Sequence, residues 1–208
     1  MTDCKTSVEE FLDAAAAKQP TPGGGSVAAL VGALAASMGE MVVNYSLGKK
    51  SLEMYAGELK PALDQLHRAR QILQALVVED QAAYELLTAL RKLPETSPER
   101  IEKMPAALLA SIRVPETMAA SAVAILEICD KIVGFVNRFL LSDLAVCADL
   151  AMATTRCAIY NVRANLNDFT DESDRRTIES TIGQILSHAG ALIQRVAPRI
   201  WERQRQGV

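Results

Sequence analysis

The stretch QPTPGGGSVAALVGALAASMGEMVVNYSLGKK, residues 19–50, decides the fold. Two prolines and three consecutive glycines open it, an almost entirely apolar run follows, and Lys49 and Lys50 close it. Glycine and proline clusters mark connectors, and the apolar run is long enough to form a helix of about 20 residues. Three interpretations are open: a phosphate-binding loop with its helix, a membrane-spanning helix, or the central helix of a soluble protein.

The apolar run from Ser26 to Leu47 favours a core helix over a membrane helix. Glu40 lies inside it, and a carboxylate is costly in the hydrocarbon of a bilayer. Gly32, Ala36 and Gly39 lie about one turn apart, so neighbouring helix backbones can approach closely. A helix that is apolar on all sides belongs at the centre of a helical protein. We therefore predict a central or subunit-interface helix, and no membrane association.

The rest of the chain has the composition of helices. Aromatic residues make up only 4% of it, good helix formers dominate, and no alternating strand pattern persists. Several helices of about 20 or more residues with short loops predict an all-α fold, an antiparallel up-and-down bundle of five to six long helices. No composition shift or linker divides the chain, so residues 1–208 are expected to form a single domain.

Capping and proline signals place the helix ends. Helices are predicted up to Pro20, over 26–47, over 51–93, from the loop at 93–98 to about 134, over 140–167, and after the loop at 168–172. Ser7 and Glu10 predict a capping box at the first helix, and Thr170 or Asp171 is expected to cap the last. Prolines are expected to kink or interrupt three of the helices, at Pro61, Pro105, Pro115 and Pro198.

Composition and charge narrow the function classes. The net charge of −3 offers no concentrated basic surface, so no nucleic-acid partner is expected. The four cysteines form no Cys-x-x-Cys pair and there are only two histidines, so no metal site is predicted. Cys147 and Cys157 lie in apolar helical surroundings and are expected to be buried free thiols. The polar start MTDCKTSVEE lacks the apolar core of a signal peptide, and a reducing cytoplasm is expected.

The segment PTPGGG, residues 20–25, is predicted to be a non-helical connector, with two interpretations open. One is a flexible hinge, because consecutive glycines cost backbone entropy when they are ordered. The other is a cradle for an anion or ligand, since glycines allow close approach and the following helix offers free N–H groups at its positive end. The Gly-x-x-x-x-Gly-Lys-Ser/Thr pattern is missing and no strand precedes the glycines, which excludes the nucleotide-binding and dinucleotide-binding loops.

Taken with its surroundings, the segment resembles the signature of a known family. PTPGGGSVAAL followed by LGKK is similar to the signature of the formiminotetrahydrofolate cyclodeaminase and methenyltetrahydrofolate cyclohydrolase family. VVEDQAAYELL, KLPETSPER, RVPETMA, LLSDLAVCA and AIYNVRANLN resemble further segments of that family, in order, across residues 8–190. The resemblance implies an all-α bundle, usually dimeric, that binds a reduced folate as its substrate and uses no cofactor or metal.

The resemblance also implies the residues of the site. Asp80 and Asp143 are the predicted acid/base groups. The predicted substrate-binding residues come from the glycine loop, the paired lysines and later polar positions: Pro22, Gly23, Gly24, Gly25, Ser26, Lys49, Lys50, Asn137, Ser142, Asn161 and Asn165. The two lysines suit the glutamate carboxylates of a folate. The residues also admit plainer roles: a helix-surface carboxylate for Asp80, an N-cap pair for Ser142 and Asp143, and a solvated helix end for the lysines.

One segment departs from the family pattern. Members commonly carry Lys-Gly-Asn-x-Asn before the Ser-Asp pair, whereas FVNRFLLSD stands here. Asn137 matches the first Asn, while Phe135, Val136 and Phe139 replace the Lys, the Gly and the second Asn. This difference motivates one alternative function, a folate-binding helical dimer that has lost catalysis.

The predicted function is hydrolysis of 5,10-methenyltetrahydrofolate to 10-formyltetrahydrofolate by a cytoplasmic homodimer. The methenyl carbon is electron-poor, and a carboxylate can orient or deprotonate the attacking water. The main alternative is formiminotetrahydrofolate cyclodeaminase activity, in which a folate nitrogen attacks the formimino carbon and ammonia leaves. In either case the bundle is expected to bring Asp80 and Asp143 to one cleft.

Overall fold

Long helices account for most of the chain. The structure is a computed structural model that describes residues 2–169 and 171–206. In these residues the chain forms two 3₁₀ helices, Lys50–Tyr55 and Arg138–Leu140, and no strand. Six α-helices are described: α1 (Val8–Ala16), α2 (Gly24–Asn44), α3 (Ala56–Arg91), α4 (Pro98–Ile132), α5 (Leu141–Leu166) and α6 (Glu172–Arg205). The prediction of an all-α fold with five to six long helices is confirmed.

The helices form an up-and-down bundle in which α2 packs between α3 and α5. Helices α2, α3, α4 and α5 form a ring in which each packs against the next, and α6 covers α4 and α5 from outside. Helix α2 packs mainly on α3 and α5 and also reaches α4 across the ring. Short connections between successive helices give the antiparallel arrangement. Helix α2 is therefore a core helix of the bundle, as predicted, with one face buried against its neighbours.

Gly25, Gly32 and Gly39 recur every seven residues of α2 and form a line of close helix contacts, which we call the glycine seam. A Cβ atom on Gly32 would lie 2.9 Å from Thr154 Cγ2 of α5 and 3.0 Å from Leu73 Cδ2 of α3. The first distance is shorter than real Cβ contacts and the second is tighter than most of them, so a glycine at this position lets the three helices pack closely.

Gly39 repeats this geometry two turns further along α2. A Cβ atom there would lie 2.9 Å from Leu66 Cδ2 of α3 and 3.2 Å from Cys147 Sγ of α5. Residue numbers on α3 and α5 fall as those on α2 rise, so α2 runs antiparallel to both neighbours. The N-terminus of α2 consequently lies beside the C-terminal halves of α3 and α5.

Two helices of the described chain, α2 and α4, are long and apolar enough to cross a membrane by length and composition alone. Roughly half of the apolar window of each is buried inside the bundle. Core helices of soluble proteins pass the same test. The packing of α2 between α3 and α5 accounts for its composition.

Several predicted helix ends are wrong. The N-cap of α2 is Gly23, and Gly24 and Gly25 form its first turn, so PTPGGG is only partly a connector. Glycine can enter a helix when packing compensates its entropy, and the glycine seam begins at Gly25. The predicted interruptions at prolines are also wrong, because α3, α4 and α6 run without a break past Pro61, Pro105, Pro115 and Pro198.

The cap signals were more reliable than the proline signals. Ser7 and Glu10 form the predicted capping box at α1. The side chain of Asp171 accepts hydrogen bonds from two backbone N–H groups at the start of α6, as predicted for one of two candidates. The other candidate, Thr170, lies outside the described residues. Gly48 has the left-handed φ of 77°, in a turn beyond the C-cap Tyr45.

Candidate functional site

A cavity of about 260 Å³ opens where α2 begins. It is lined by the loop at 20–23, the first turn of α2, and parts of α3, α4 and α5. Gly23, Gly24, Gly25, Asp80, Asn161 and Asn165 all line it. A larger and more open groove of about 510 Å³ between α3 and α4 contains none of the predicted site residues. The small cavity is therefore the place where the sequence predictions converge.

The carboxylate of Asp80 lies partly buried against the N-terminus of α2. The hydroxyl of Ser26 donates a hydrogen bond of 2.9 Å to Asp80 Oδ2, and the backbone N–H of Ser26 also donates to the carboxylate. Burial raises the pKa of Asp80 above its ordinary value, and the two hydrogen bonds from Ser26 offset part of that increase. Asp80 thus keeps its proton to a higher pH than an exposed aspartate, which suits an acid/base group.

Gly25 makes this position of Asp80 possible. A Cβ atom on Gly25 would lie 2.0 Å from Asp80 Oδ1 and 2.5 Å from its Cγ. No side chain larger than hydrogen fits between the helix backbone and the carboxylate. Of the two interpretations left open for the glycines, the cradle agrees with this geometry, and what it holds in the structure is a carboxylate of the protein itself.

Two asparagines of α5 form the opposite wall of the cavity. Asn161 Oδ1 lies 3.8 Å from the Cβ position of Gly24, and Asn161 Nδ2 donates to the carbonyl of Cys157 at 2.9 Å. Asn165 Nδ2 donates to the carbonyl of Ser111 in α4 at 2.9 Å. Both side chains are held by a backbone carbonyl, so each presents its amide oxygen in a fixed orientation.

Sequence reasoning missed the rest of the wall that α3 contributes. Asp80, Tyr84, Leu87 and Arg91 all line the cavity, at successive intervals of four, three and four residues. Such spacing places side chains on one face of a helix, and we call these four residues the α3 strip. The periodicity around Asp80 was visible in the sequence and could have identified Tyr84 and Arg91. Ser111, Val114 and Pro115 of α4 carried no comparable signal.

Comparisons with known proteins identify the family of the chain. The family model described as formiminotransferase-cyclodeaminase matches residues 7–184. The chain belongs to this family. It is 29% identical to methenyltetrahydrofolate cyclohydrolase of Methylorubrum extorquens over 194 residues, which cover 91% of this chain and 93% of that protein.

A further relative and a solved structure extend the comparison. Formimidoyltransferase-cyclodeaminase of Gallus gallus is 31% identical over 183 residues, which cover 86% of this chain and 34% of that protein, so this chain spans about a third of its length. The crystal structure of formiminotetrahydrofolate cyclodeaminase from Thermotoga maritima has a TM-score of 0.80 to this chain at 29% identity, with 97% of each chain covered. The latter likeness extends to the whole bundle.

Five of the predicted site residues in this family member lie at the other end of α2. Lys49, Lys50, Asn137, Ser142 and Asp143 do not line the cavity. Helix α2 has 21 residues, and a rise of about 1.5 Å per residue separates its ends by about 30 Å. Within one chain, therefore, the structure does not bring these five residues to the glycine loop.

Asp143 illustrates the separation. It lies in the first turn of α5, whose N-cap is Leu140, so the interpretation of Ser142 and Asp143 as an N-cap pair is wrong. Asn161 follows eighteen residues later on the same helix, or about 27 Å along its axis. The expectation that Asp80 and Asp143 share a cleft is not met within one chain.

Asn137 has a structural role in the chain. Its backbone N–H donates to Ser46 Oγ at 2.9 Å and its Nδ2 to the carbonyl of Tyr45 at 3.3 Å, while its Oδ1 accepts from the backbone N–H of Phe139. These bonds fasten the loop between α4 and α5 to the end of α2. Its predicted contact with substrate is untested.

Two cations near the C-terminal end of α2 lie close to the exposed aromatic ring of Phe139. Lys49 Nζ and the guanidinium of Arg138 lie 5.6 Å and 4.8 Å from the centroid of Phe139, which is 71% exposed. Phe139 is one of the positions where this chain departs from the family pattern.

The remaining residues predicted from the sequence are placed as follows. Pro22 is a buried residue of the loop and does not line the cavity. Cys147 is buried as predicted, whereas Cys157 is exposed on α5, so its predicted burial is wrong. Among the residues that the structure describes, no group of three or more His, Cys, Asp or Glu side chains could hold a metal ion.

Proposed function

We propose that this member of the formiminotransferase-cyclodeaminase family hydrolyses 5,10-methenyltetrahydrofolate to 10-formyltetrahydrofolate in the cytoplasm, with Asp80 as its acid/base group. The observation that carries the proposal is the Asp80 carboxylate held on Gly25 and Ser26 in a cavity that two fixed amide side chains share. The name of the relative from Methylorubrum extorquens, aligned over nearly the full length of both chains, supports this choice of reaction.

The proposed chemistry needs one group that moves protons. Water attacks the electron-poor methenyl carbon, and Asp80 accepts one water proton as the new C–O bond forms. The resulting carbinolamine then breaks its bond between this carbon and N5, while Asp80 returns its proton to N5. The hydroxyl proton is released, which leaves a formyl group on N10. The reaction as proposed uses water and protein side chains and calls for no cofactor or metal.

The surroundings of Asp80 fit this task. A raised pKa makes the ionised carboxylate a stronger base than an exposed aspartate and still leaves a usable acid in the second step. The positive N-terminal end of α2 and the Ser26 hydroxyl favour the ionised form enough to keep it accessible. The amide oxygens of Asn161 and Asn165 can accept hydrogen bonds from the amino groups of a pterin ring.

A second candidate is cyclodeaminase activity on 5-formiminotetrahydrofolate. There, N10 attacks the formimino carbon and ammonia leaves, so a protonated group must assist the departing nitrogen. The raised pKa of Asp80 favours such an acid as well. The names of the relatives from Gallus gallus and Thermotoga maritima support this candidate.

An absorbance assay of the purified protein separates these activities. Loss of the methenyltetrahydrofolate absorbance above the uncatalysed rate supports hydrolysis, whereas ammonia release from 5-formiminotetrahydrofolate supports the second candidate. Asp80→Asn should lower the active reaction by about 10²- to 10⁴-fold. Asp64→Asn, an exposed position on the same helix outside the cavity, is the matched control and should retain activity. Binding of 5-formyltetrahydrofolate without either turnover would instead indicate the non-catalytic folate-binding dimer.

We also propose that two copies associate through the exposed face of α2. This face carries apolar residues at intervals of three and four, and none of them is charged: Val27, Val31, Leu34, Met38, Met41 and Tyr45. Leu34 is 51% exposed and Tyr45 62% exposed, although the opposite face of α2 lies in the core. Spacing of this kind is the seam of a helix pair, and a self-complementary seam suits a second copy related by a two-fold axis.

Antiparallel pairing of two α2 helices would have a consequence for the site. The C-terminal end of α2 in one copy would lie beside the N-terminal end in the other. The partner subunit's Lys49, Ser142 and Asp143 would then approach the cavity from outside. In this arrangement the residues that a single chain keeps about 30 Å apart could belong to one composite site.

Light scattering tests this association. The wild-type protein should have the mass of two chains, and Leu34→Glu, at the centre of the seam, should have the mass of one. Ile101→Glu, at an apolar position on α4 that is 64% exposed, is the matched control and should leave the dimer intact. A monomeric wild type, or a dimer that survives Leu34→Glu, would contradict the proposed interface.

A further inference from the structure

Arg91 is the one basic residue that lines the cavity in the described part of the chain. It follows Asp80 by eleven residues on α3, close to three full turns and roughly 16 Å along the helix axis. Tyr84 and Leu87 lie between them on the α3 strip. The strip therefore presents, in order, an acid, an aromatic ring, an aliphatic side chain and a cation.

The same order of chemistry is found along a reduced folate. The one-carbon centre is followed by the flat aminobenzoyl ring, and the ring is followed by the carboxylates of the glutamate. With the one-carbon centre at Asp80, the ring would reach Tyr84 and Leu87, and the glutamate would reach Arg91. Side chains on a helix lean toward its N-terminus, so the guanidinium of Arg91 reaches back toward Asp80 and shortens the span.

The size of the cavity agrees with this arrangement. Its volume of about 260 Å³ lies below the range of about 300–1,000 Å³ that is usual for sites that enclose a drug-sized ligand. A folate would consequently fill the cavity with its reacting half and extend its glutamate beyond. Arg91 is 43% exposed at the edge of the site, where such an extension would pass.

The present partner of Arg91 is an aspartate. The Arg91 guanidinium forms an ion pair with Asp168, which lies in the turn just after α5. Both side chains are more than a third exposed, and exposed ion pairs contribute little to stability. A ligand carboxylate could therefore replace Asp168 at a small cost and form a two-pronged contact with the guanidinium.

A neighbouring arginine, unlike Arg91, is bonded to a loop of the protein. Arg100 donates to the carbonyl of Leu93 at 2.7 Å and lies 3.6 Å from Glu95, so its guanidinium is used to fasten the loop after α3. Lys49 and Lys50, which the sequence suggested for the glutamate, lie at the far end of α2 from the cavity in the same chain.

We propose that Arg91 binds the glutamate carboxylate of the folate substrate and that Asp168 occupies the Arg91 guanidinium when the site is empty. The inference rests on the proposed folate function and identifies which group of the substrate this residue recognises.

The test compares two ligands that differ only in the glutamate. Dissociation constants are measured by calorimetry for 5-formyltetrahydrofolate and for 5-formyltetrahydropteroate, which ends at the benzoate. The wild-type protein should bind the glutamate-bearing ligand about 10- to 100-fold more tightly. Arg91→Gln should remove this difference and leave binding of the pteroate within threefold of wild type. Arg91→Lys should retain part of it, because the charge remains but the two-pronged geometry is lost.

Variants of neighbouring residues exclude a merely structural role. Asp168→Asn breaks the same ion pair but frees Arg91, so it should bind 5-formyltetrahydrofolate as tightly as wild type or several-fold more tightly. Arg100→Gln removes one positive charge nearby and should preserve the difference between the ligands. Thermal unfolding by circular dichroism verifies that each variant is folded.

Several results would overturn the inference. The inference is wrong if Arg91→Gln keeps the full difference between the ligands, or if Arg91→Gln and Asp168→Asn both weaken the two ligands equally. A Lys49→Gln, Lys50→Gln double variant that alone removes the difference would assign the glutamate to those lysines. A wild type that turns over folate but binds both ligands equally contradicts the role of Arg91 only, whereas a wild type that neither binds nor converts any folate overturns the proposed function as well.

Discussion

The two ends of the glycine seam have the same backbone geometry and opposite chemistry. At Gly39, α2 approaches α3 so closely that Leu66 fills the space a Cβ would need, and the leucine is fully buried. At Gly25, two heptads earlier, the side chain in that space is the carboxylate of Asp80. A close contact at a glycine can therefore build a hydrophobic core at one end of a helix and hold a carboxylate at the other.

The chemistry changes because the seam reaches the end of α2. At Gly39 every backbone N–H is already used within the helix, so only an apolar partner is satisfied. At Gly25 the first-turn N–H groups and the Ser26 hydroxyl are available, and a carboxylate can use them. An aspartate at position 66 would be a buried charge without hydrogen-bond donors, whereas Asp80 accepts hydrogen bonds from the hydroxyl and the backbone N–H of Ser26.

The largest expected effect comes from Asp80→Asn. Turnover should fall by about 10²- to 10⁴-fold, because the amide cannot accept and return the proton. The free energy of unfolding of this variant should stay the same or rise. Burial raises the pKa of Asp80 in the folded state, so its charge opposes folding as the pH rises through that pKa, and this opposition is absent at pH values below the ordinary carboxyl pKa. Denaturant unfolding at pH 7 should therefore show the variant to be at least as stable as wild type.

The matched variant at the core end is Leu66→Ala. It removes a fully buried leucine and should lower the free energy of unfolding by about 2–5 kcal/mol. If Asp80→Asn lowers the free energy of unfolding as much as Leu66→Ala does, Asp80 is a core residue like Leu66 and the comparison is contradicted.

Gly25→Ala should have the next largest effect. Its Cβ would occupy the space of Asp80 Oδ1, so the carboxylate must move, and turnover should fall by on the order of 10²-fold for a displacement of about 1 Å. Steady-state kinetics on the folded variant measures the loss. Gly57→Ala, whose Cβ meets nothing within 4 Å, serves as the control and should be fully active. Normal activity of Gly25→Ala would show that the close approach is dispensable.

Gly39→Ala should lower the stability of the protein and leave its turnover nearly unchanged. The added methyl group meets Leu66 and Cys147 in the packed core, and overpacking of this kind costs about 1–3 kcal/mol of unfolding free energy. Turnover per folded molecule should remain within twofold of wild type. Chemical denaturation and kinetics on one preparation give both values, and a selective loss of turnover would argue against the division between the two ends.

Ser26→Ala should have the smallest effect. Removing the hydroxyl donor takes away one contribution that lowers the pKa of Asp80, so the pKa should rise further. Where the ionised carboxylate is the base, the rising limb of the rate against pH should move to higher pH, and the plateau rate should change by less than about tenfold. A shift to lower pH would contradict the assignment of the limb to Asp80.

Much of the fold could be predicted from the sequence, since helix formers, caps and the apolar run of α2 are local signals. The proline interruptions could not. Pro61, Pro105, Pro115 and Pro198 lie inside helices whose tertiary packing outweighs the loss of a backbone hydrogen bond. The entry of Gly24 and Gly25 into α2 likewise depends on the packing of Asp80, which lies more than 50 residues away in the chain.

The site divides in a similar way. The glycine loop, Asp80, Asn161 and Asn165, which the resemblance assigned to the site, line one cavity, while Asp143 and the lysines lie at the far end of α2. Motifs give the order of residues but not which ends of antiparallel helices meet, and a composite site between two copies leaves no local signal in either chain. Arg91 was missed because it lies in none of the motifs that resemble the family, although its spacing from Asp80 places it on the same face of α3.

A crystal structure of the protein with 5-formyltetrahydrofolate tests whether the cavity at Gly25 is the folate site. We expect the formyl group beside Asp80 at the N-terminus of α2, with the aminobenzoyl ring along the α3 strip. Density for the ligand in the groove between α3 and α4, beside Arg68 and Lys131, with the cavity at Gly25 empty, would contradict it.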